Sequence, residues 1–313
     1  MDAVGNLLGR IGGTGPRLLL HAHMDEISYV VRHVTAQGFV LLDTGQGRRR
    51  DGPEPRHMVG TDVIVVGRGG ALARGVLTTP AGHVLTREQL EREKPTWDDL
   101  FVDLGVDSRA EVELLGVHVG AGVVAAAETR QVGRRIVGKA LDDRVALATL
   151  DLLLEILDPA ACEYELWIAA TVQEENGTHG ARAIASTRRF DAAIAIDVGL
   201  VGDVPGVGAH AYESTLGGGP AVVHKDALVF YDATLNDAIR AAAVDAGIAV
   251  QDGVYAGYGS DGVAFVDAGV PATLLTVPTR YTHTAFEMVD PADVEALVRL
   301  FVAFLTRRGP LHR

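Results

Sequence analysis

The stretch Thr171-Val-Gln-Glu-Glu-Asn-Gly177 sets two adjacent carboxylates, Glu174 and Glu175, just beyond the apolar run Leu166-Trp-Ile-Ala-Ala170. A short apolar run bounded by turn residues reads as a buried strand, and folding gives no reason for two acids at its mouth. Consecutive residues at a strand end point to opposite sides. One glutamate can therefore hold a cation while its neighbour handles a proton. A lone Glu-Glu pair would read as a solvated turn, but other strand ends carry matching groups. His23 and Asp25 follow Leu18-Leu-Leu20 at i, i+2 spacing, on one face. Asp142 closes Gly138-Lys-Ala-Leu-Asp142, where a helix begins. Asp197 ends Ala193-Ile-Ala-Ile196, and His283 comes just after Leu274-Leu-Thr-Val277. In open α/β sheets ligands bind beyond the carboxyl ends of the strands.

All these groups are oxygen or nitrogen donors. The set suits a hard or borderline divalent metal, and the lack of thiolate points to a catalytic rather than a structural zinc site. Two histidines and three carboxylates can hold two metals, roughly 3.5–4 Å apart, if one carboxylate bridges them. A water activated there needs a base that takes its proton and passes it to a leaving amine. Glu174, beside the ligand Glu175 but directed elsewhere, fits that role. Asp25 fits a supporting role, holding the His23 imidazole in its metal-binding tautomer.

Neighbouring residues have plainer readings. His21 is a rival to His23, but the His-x-Asp arrangement favours His23. His179 reads as a surface-loop histidine. Asp143 is either a second bridging acid or an ordinary acid in a helix's first turn. Ser260 reads as an N-cap and Asp261 as a cap or support. Gly217-Gly-Gly-Pro220 lacks the strand and helix of a phosphate loop and reads as flexibility or close backbone approach near the substrate. Cys162 reads as inert packing or surface.

The chain has 313 residues, 48% hydrophobic and 22% charged, enough for a sizeable core in two domains or one domain with an insertion. Its net charge of -13 argues against nucleic acid or an anionic membrane as partner. With Cys162 as sole cysteine, no intrachain disulfide is possible and a reducing compartment fits. The start, Met1-Asp-Ala-Val-Gly5, shows neither a signal peptide nor a membrane anchor. A cytoplasmic protein is expected. From Arg32 to Arg130 the chain is rich in strands and turns, with Val63-Ile-Val-Val66, Ala71-Leu-Ala73 and Val76-Leu-Thr78 as short strands, and Arg48-Arg-Arg50 and Arg87–Lys94 as exposed loops. From Ile136 onward strands (Glu165–Val172, Ala192–Ile196, Ala272–Val277) alternate with helices (Asp143–Leu157, Leu235–Ala246, Pro291–Thr306). That alternation predicts an α/β fold, a mixed sheet with helices on both faces, formed by residues 1–31 and 131–313. Residues 32–130 would be an inserted, β-barrel-like domain.

His-Met-Asp-Glu-Ile27, Lys-Ala-Leu-Asp-Asp-Arg144, Thr-Val-Gln-Glu-Glu175, Ile-Asp-Val198 and Pro-Thr-Arg-Tyr-Thr-His283 stand in the order found in the M42 family of dinuclear-metal aminopeptidases, which the chain resembles over nearly its whole length. Leu100-Phe-Val-Asp-Leu-Gly105, Asp203-Val-Pro-Gly206, Gly218-Gly-Pro220 and Ser260-Asp261 extend the likeness. The resemblance implies a zinc-peptidase-like fold and removal of N-terminal residues from short peptides by a water that two metals activate. It implies His23 and Asp197 on one metal, Glu175 and His283 on the other, Asp142 as bridge, Glu174 as general base and Asp25 as supporting acid. Two divalent ions per subunit would be zinc or cobalt, with manganese as a further option. The insert would be a PA-like dimerisation domain, and the homo-oligomer anything from a dimer to a dodecamer.

Three departures stand out. Only Met1–Pro16 precedes the first expected strand, where members usually carry a helical segment, so the chain looks clipped by a deletion or a misplaced initiation codon. Gly45-Gln-Gly47 runs into arginines where members often show Gly-Gly-Trp, and Ser28 stands at a usual glycine. None touches an expected ligand. The alternatives from other classes are a metal-dependent deacylase or carboxypeptidase acting on small N-acyl compounds, and a non-catalytic assembly protein. A glucanase reading fails on chemistry, since glycosidases use a carboxylate pair flanking the sugar bond. Arg280 and Lys225 are candidates for favouring acidic amino-terminal residues.

Overall fold

The computed structural model describes residues 1–44, 54–88, 95–207, 210–307 and 311. The arginines at 48–50, the glycines at 45 and 47, and residues 89–94 of the charged run lie outside that set. The chain divides into two compact units, one of Met1–Glu26, Arg130–Thr282 and Glu287–Arg313, the other of Ile27–Thr129 and His283–Phe286.

The chain enters through two strands of a large sheet, β1 (Leu7–Gly12) and β2 (Arg17–His23). The expected first strand is therefore the second. β1 is glycine-rich and partly exposed, which hid its pattern from the sequence.

The second unit follows with β3 (Tyr29–Val34), β4 (Val40–Thr44), β5 (Thr61–Val66), β6 (Leu72–Thr78), β7 (Phe101–Asp103), the short helix α1 (Arg109–Leu114) and β8 (Gly122–Ala125). These strands close into a barrel in the order β3-β4-β7-β6-β5-β8. Period-two alternation turns Tyr29, Val31, Val63, Val65, Val102 and Val123 into its core. A boundary at Arg32 would have cut β3, which pairs with β4 from Tyr29 to Val34. The two strands expected around Gly75 are one. A Cβ on Gly75 would lie 2.6 Å from Asp103 O, so this glycine admits β7 at close approach and does not end the strand.

Back in the first unit come β9 (Arg130–Val132), β10 (Arg135–Gly138), α2 (Leu141–Ile156), β11 (Glu165–Thr171), α3 (His179–Thr187), β12 (Ala192–Gly199) and β13 (Ala221–Lys225). They are followed by α4 (Ala233–Ala246), β14 (Gln251–Val254), α5 (Gly262–Asp267), β15 (Ala272–Arg280), β16 (Glu287–Val289) and α6 (Pro291–Leu305). The 10-stranded sheet runs β1-β11-β2-β12-β15-β16-β10-β9, with β13 on β15 and β14 on β13. Its centre is parallel: β11 with β2, β2 with β12, β12 with β15. β1 and β13 run antiparallel to their neighbours, so the sheet is mixed.

Both faces are covered. Leu18, Leu20, Ile194, Ile196 and Leu275 pack beneath α2, α4 and α6, while Leu19, Ala169, Ala193 and Ala272 pack against α3 and α5. β12 is buried along its whole length, which is why it reads as an unbroken apolar run. Local signals set the helix ends. Asp232 caps α4 by accepting from Leu235 N at 2.8 Å, a bond whose loss costs about 1 kcal/mol. Gly247 ends that helix at φ 64°. Among the described residues, no helix is long and apolar enough to cross a membrane.

Candidate metal centre

Register brings the carboxyl ends of the parallel strands together. His23 of β2 lies opposite Thr171 of β11, and His21 opposite Ala195 of β12, which continues to Asp197. His23 Nε2 is 3.0 Å from Asp142 Oδ1 and 3.9 Å from Asp197 Oδ1. Its Nδ1 is 3.0 Å from the main-chain oxygen of Asp25. A carbonyl can only accept, so Nδ1 carries a hydrogen, and Nε2, which faces the Asp142 carboxylate, is the nitrogen that would turn to a cation. Asp25 thus orients the imidazole through its backbone. Its carboxylate, with Oδ1 3.7 Å from the same Nδ1, also accepts from the main-chain nitrogens of Glu174 at 3.2 Å and Glu175 at 3.3 Å.

Among the described residues, two sets of donor atoms, each within 4.8 Å of one another, could hold a metal ion: His23, Asp143 and Asp197, and His23, Asp142 and Glu175. The structure therefore brings His23, Asp142, Glu175 and Asp197 together. His283, at φ 61° and grouped with the barrel unit, is in neither set. Asp143 is more than an acid in a helix's first turn. It is wholly buried, its backbone at φ -120°, ψ 32° is not helical, and its Oδ2 accepts from His23 N at 3.2 Å.

β11 ends at Thr171, so Glu174 and Glu175 sit in a loop and strand alternation does not direct them. Glu175 joins a donor set and Glu174 does not. The same loop holds Gln173 at φ 58° and Thr178 at φ 57°. Left-handed non-glycine residues cost of order 1–3 kcal/mol each and persist only where the surroundings over-determine them.

Crowded acids dominate the electrostatics. Burial pushes Glu174 and Glu175 well above the usual carboxylate range, with His23 opposing and neighbouring carboxylates adding to the effect. Burial also raises Asp143, and it lifts Asp197 to about 7 and Asp261 to about 6. For His23 burial acts downward, but the bonds to Asp142 and Asp25 and the charges of Asp143 and Asp197 outweigh it, and its pKa is raised well above the ordinary value. The cluster is short of positive charge. Asp143 Oδ1 and Asp261 Oδ1 are buried without a hydrogen-bond partner. A divalent cation would supply the missing charge, and the oxygen and imidazole donors suit one.

Supporting residues emerge that sequence reading assigned otherwise or missed. Ser260 does not cap α5; its hydroxyl donates to Asp197 Oδ2 at 2.6 Å. Asp261 Oδ2 lies 2.5 Å from Thr171 Oγ1 at the end of β11. Buried Glu287 accepts from Asp142 N at 2.8 Å, and no local signal marked it. His21 is in neither donor set. It is fully buried against Phe265 at 4.8 Å, and burial drives its pKa down to about 3. His179 is exposed, but it opens α3 and so is not in a loop. Cys162 is packed in the core.

The cations proposed for specificity are already engaged. Arg280 makes a forked pair with Asp203, Nε to Oδ1 at 2.8 Å and Nη2 to Oδ2 at 2.6 Å. Lys225 donates to Asp226 O at 2.7 Å and lies over the Phe230 ring. Gly217 and Gly219 donate to Asp293 at 2.8 Å each, and a Cβ on Gly219 would lie 2.1 Å from Ala249 O. Close backbone approach is realised there, against Ala249.

A mixed sheet with acids and an imidazole at its parallel strand ends defines a hydrolase scaffold of the metallopeptidase type. The family model for M42 glutamyl aminopeptidases matches residues 5–300, and the chain belongs to the M42 peptidase family. It is 32% identical over 308 residues to FrvX of Escherichia coli K12, covering 97% of this chain and 84% of that one. An aminopeptidase from the archaeon Desulfurococcus kamchatkensis superposes with a TM-score of 0.91 at 30% identity, covering 99% of this chain and 85% of the other. The Pyrococcus horikoshii TET1 peptidase, which can assemble into a tetrahedron or a large octahedral shell, gives 0.85 at 29% identity over 97% and 88%. As a member of this family the chain is an aminopeptidase, a hydrolase of peptide bonds.

Proposed function

We propose that the protein removes N-terminal residues from short peptides with two divalent ions per subunit. The observation that carries this reading is the gathering of four carboxylates, Asp142, Asp143, Glu175 and Asp197, around His23, more donors than one ion needs, of which the imidazole nitrogen can serve only one ion. His23 and Asp197 would hold one ion, Glu175 the other, and Asp142 would lie between them. His283 enters this reading on its sequence motif alone. Bound cations supply Lewis acidity toward the scissile carbonyl and the attacking water. The chain's own work is then positional and protic. Asp25 and the Asp142 environment fix the donors, and Glu174 takes the water's proton and delivers it to the departing amine.

Assembly is part of the proposal. The barrel is closed, so its strands leave no open edge for a partner to pair with. Exposed apolar side chains on that unit, including Leu72 and Leu114, instead support a PA-like domain that joins two subunits. The shells built by the TET1 relative support larger homo-oligomers. The sole cysteine, Cys162, fits a cytoplasmic setting.

The test uses the purified protein reconstituted with zinc or cobalt and paired substrates with free or acylated amino termini. Release of product from the free-amine substrates only is expected. Cleavage confined to acylated compounds would instead establish a deacylase.

A further inference from the structure

The loop that carries Glu174 and Glu175 is held from the far end of the chain. Asn6, wholly buried just ahead of β1, accepts from Val172 N through Oδ1 at 3.1 Å and donates to Gly180 O through Nδ2 at 2.9 Å. One amide side chain thereby grips both ends of the 172–180 loop. The neck is also closed directly, Gly180 N donating to Val172 O at 2.9 Å. It leaves no room for adjustment, because a Cβ on Gly180 would lie 2.3 Å from Asn6 Oδ1 and 2.4 Å from Val172 O.

Asn6 is itself oriented. Its second amide hydrogen goes to Asp2 Oδ2 at 2.7 Å. Asp2 Oδ1 accepts from the main-chain nitrogens of Val4, Gly5 and Asn6 at 3.1, 3.0 and 2.9 Å. Asp2 N in turn donates to Asn6 O at 2.9 Å. The first six residues therefore form a self-closed turn whose one buried polar side chain gives its oxygen and one amide hydrogen to this loop and its other amide hydrogen to Asp2. Asp25 holds the loop's middle at the nitrogens of Glu174 and Glu175, and Asn6 holds its two ends.

We propose that the Asp2–Asn6 turn is a positioning element for catalysis: Asn6 sets where the left-handed loop presents Glu174 and Glu175. Asn6 touches no reacting atom. The proposal rests on Glu174 as the base and Glu175 as a ligand, as inferred above. A misplacement of about 1 Å can cost on the order of 10²-fold in rate, so a loosened loop should show in turnover before it shows in substrate binding.

The test compares Asn6→Ala, Asn6→Asp and Asp2→Ala with Ile239→Ala, a buried truncation in α4 that serves as a stability control. The readouts are kcat, KM, melting temperature, and zinc affinity by competition with a chromogenic chelator. For Asn6→Ala, kcat is expected to fall by about 10–10²-fold, with a much smaller change in KM and weakened zinc binding. Asp2→Ala should move the same quantities less. Asn6→Asp, which keeps the acceptor and loses the donor to Gly180, should fall between. Ile239→Ala should lower the melting temperature without moving kcat or zinc affinity. An Asn6→Ala protein that melts earlier but keeps wild-type kcat and zinc affinity would overturn the proposal. Should that variant fail to fold, Asn6→Asp and Asp2→Ala decide on the same criteria. A wild-type protein that neither binds zinc nor cleaves free-amine substrates removes the proposed function and this inference together. An active wild type matched by every turn variant removes only the inference.

Discussion

At the scale of single residues, the proposed function divides the chemistry between the two adjacent glutamates. Glu174→Gln keeps the shape and cannot accept a proton, so it should retain bound metal and lose ~10²–10⁴-fold in kcat, the range for a lost general base. Glu175→Gln removes a charged donor, so its first defect should be metal affinity, with activity partly restored at high metal concentration. Metal analysis and kcat on both variants decide, and the opposite pattern would reverse the roles. His21 makes a complementary case. Its ring nitrogens are buried without hydrogen-bond partners, a cost of about 1–3 kcal/mol. His21→Leu should therefore leave metal content unchanged and hold or raise the melting temperature. Lost metal would restore His21 as a rival ligand to His23.

At the scale of elements, the loop beyond β12 is tied to the end of β15 by Asp203 and Arg280. Burial alone would raise Asp203, but the hydrogen bonds from Arg280 and Leu216 and the Arg280 charge outweigh it and hold its pKa below the ordinary value. A carboxylate lowered on folding contributes stability at pH above its unfolded value, about 4, and loses that contribution as pH falls through the folded value. Arg280→Met should thus cost about 2 kcal/mol at neutral pH, and the gap to wild type should shrink below pH about 4. Denaturant melts at several pH values check this; a gap independent of pH would mean that packing, not charge, is lost. On the barrel unit, Leu72 at 67% and Leu114 at 85% exposure are apolar surface without use in a lone subunit. Leu72→Glu with Leu114→Glu should shift the assembly toward monomer by light scattering at unchanged helix and strand content. An unmoved mass would place the subunit contact elsewhere.

At the scale of the whole molecule, the acid cluster links metal to stability. Buried carboxylates with raised proton affinity repel one another in the metal-free chain, and an ion that binds the folded state alone stabilises it by mass action. Zinc at 100 times its dissociation constant should add about 2.7 kcal/mol. Chelation should therefore lower the melting temperature, and restored zinc should raise it again. A melting temperature indifferent to both would argue against a metal site among these residues.

Much of the chemistry was legible in the sequence, because ligand-type residues at strand ends are a local pattern. The parallel core strands could be read from their unbroken apolar runs, since strands buried on both faces allow no alternation. The amphipathic helices could be read from their period. What the sequence could not show was set by contacts between residues far apart in the chain. The glycine-rich edge strand β1, the single strand through Gly75 and the closure of the barrel depend on neighbours that no local window contains. The same holds for Asp25, whose carboxylate reaches the glutamate loop as well as His23, for Ser260, which left a helix cap for Asp197, and for Arg280, which is engaged by Asp203. Asn6 is the clearest instance. As a lone polar residue ahead of a strand it carries no signal, and only the fold brings it to Val172 and Gly180, because a hydrogen bond is decided by distance in space and not along the chain.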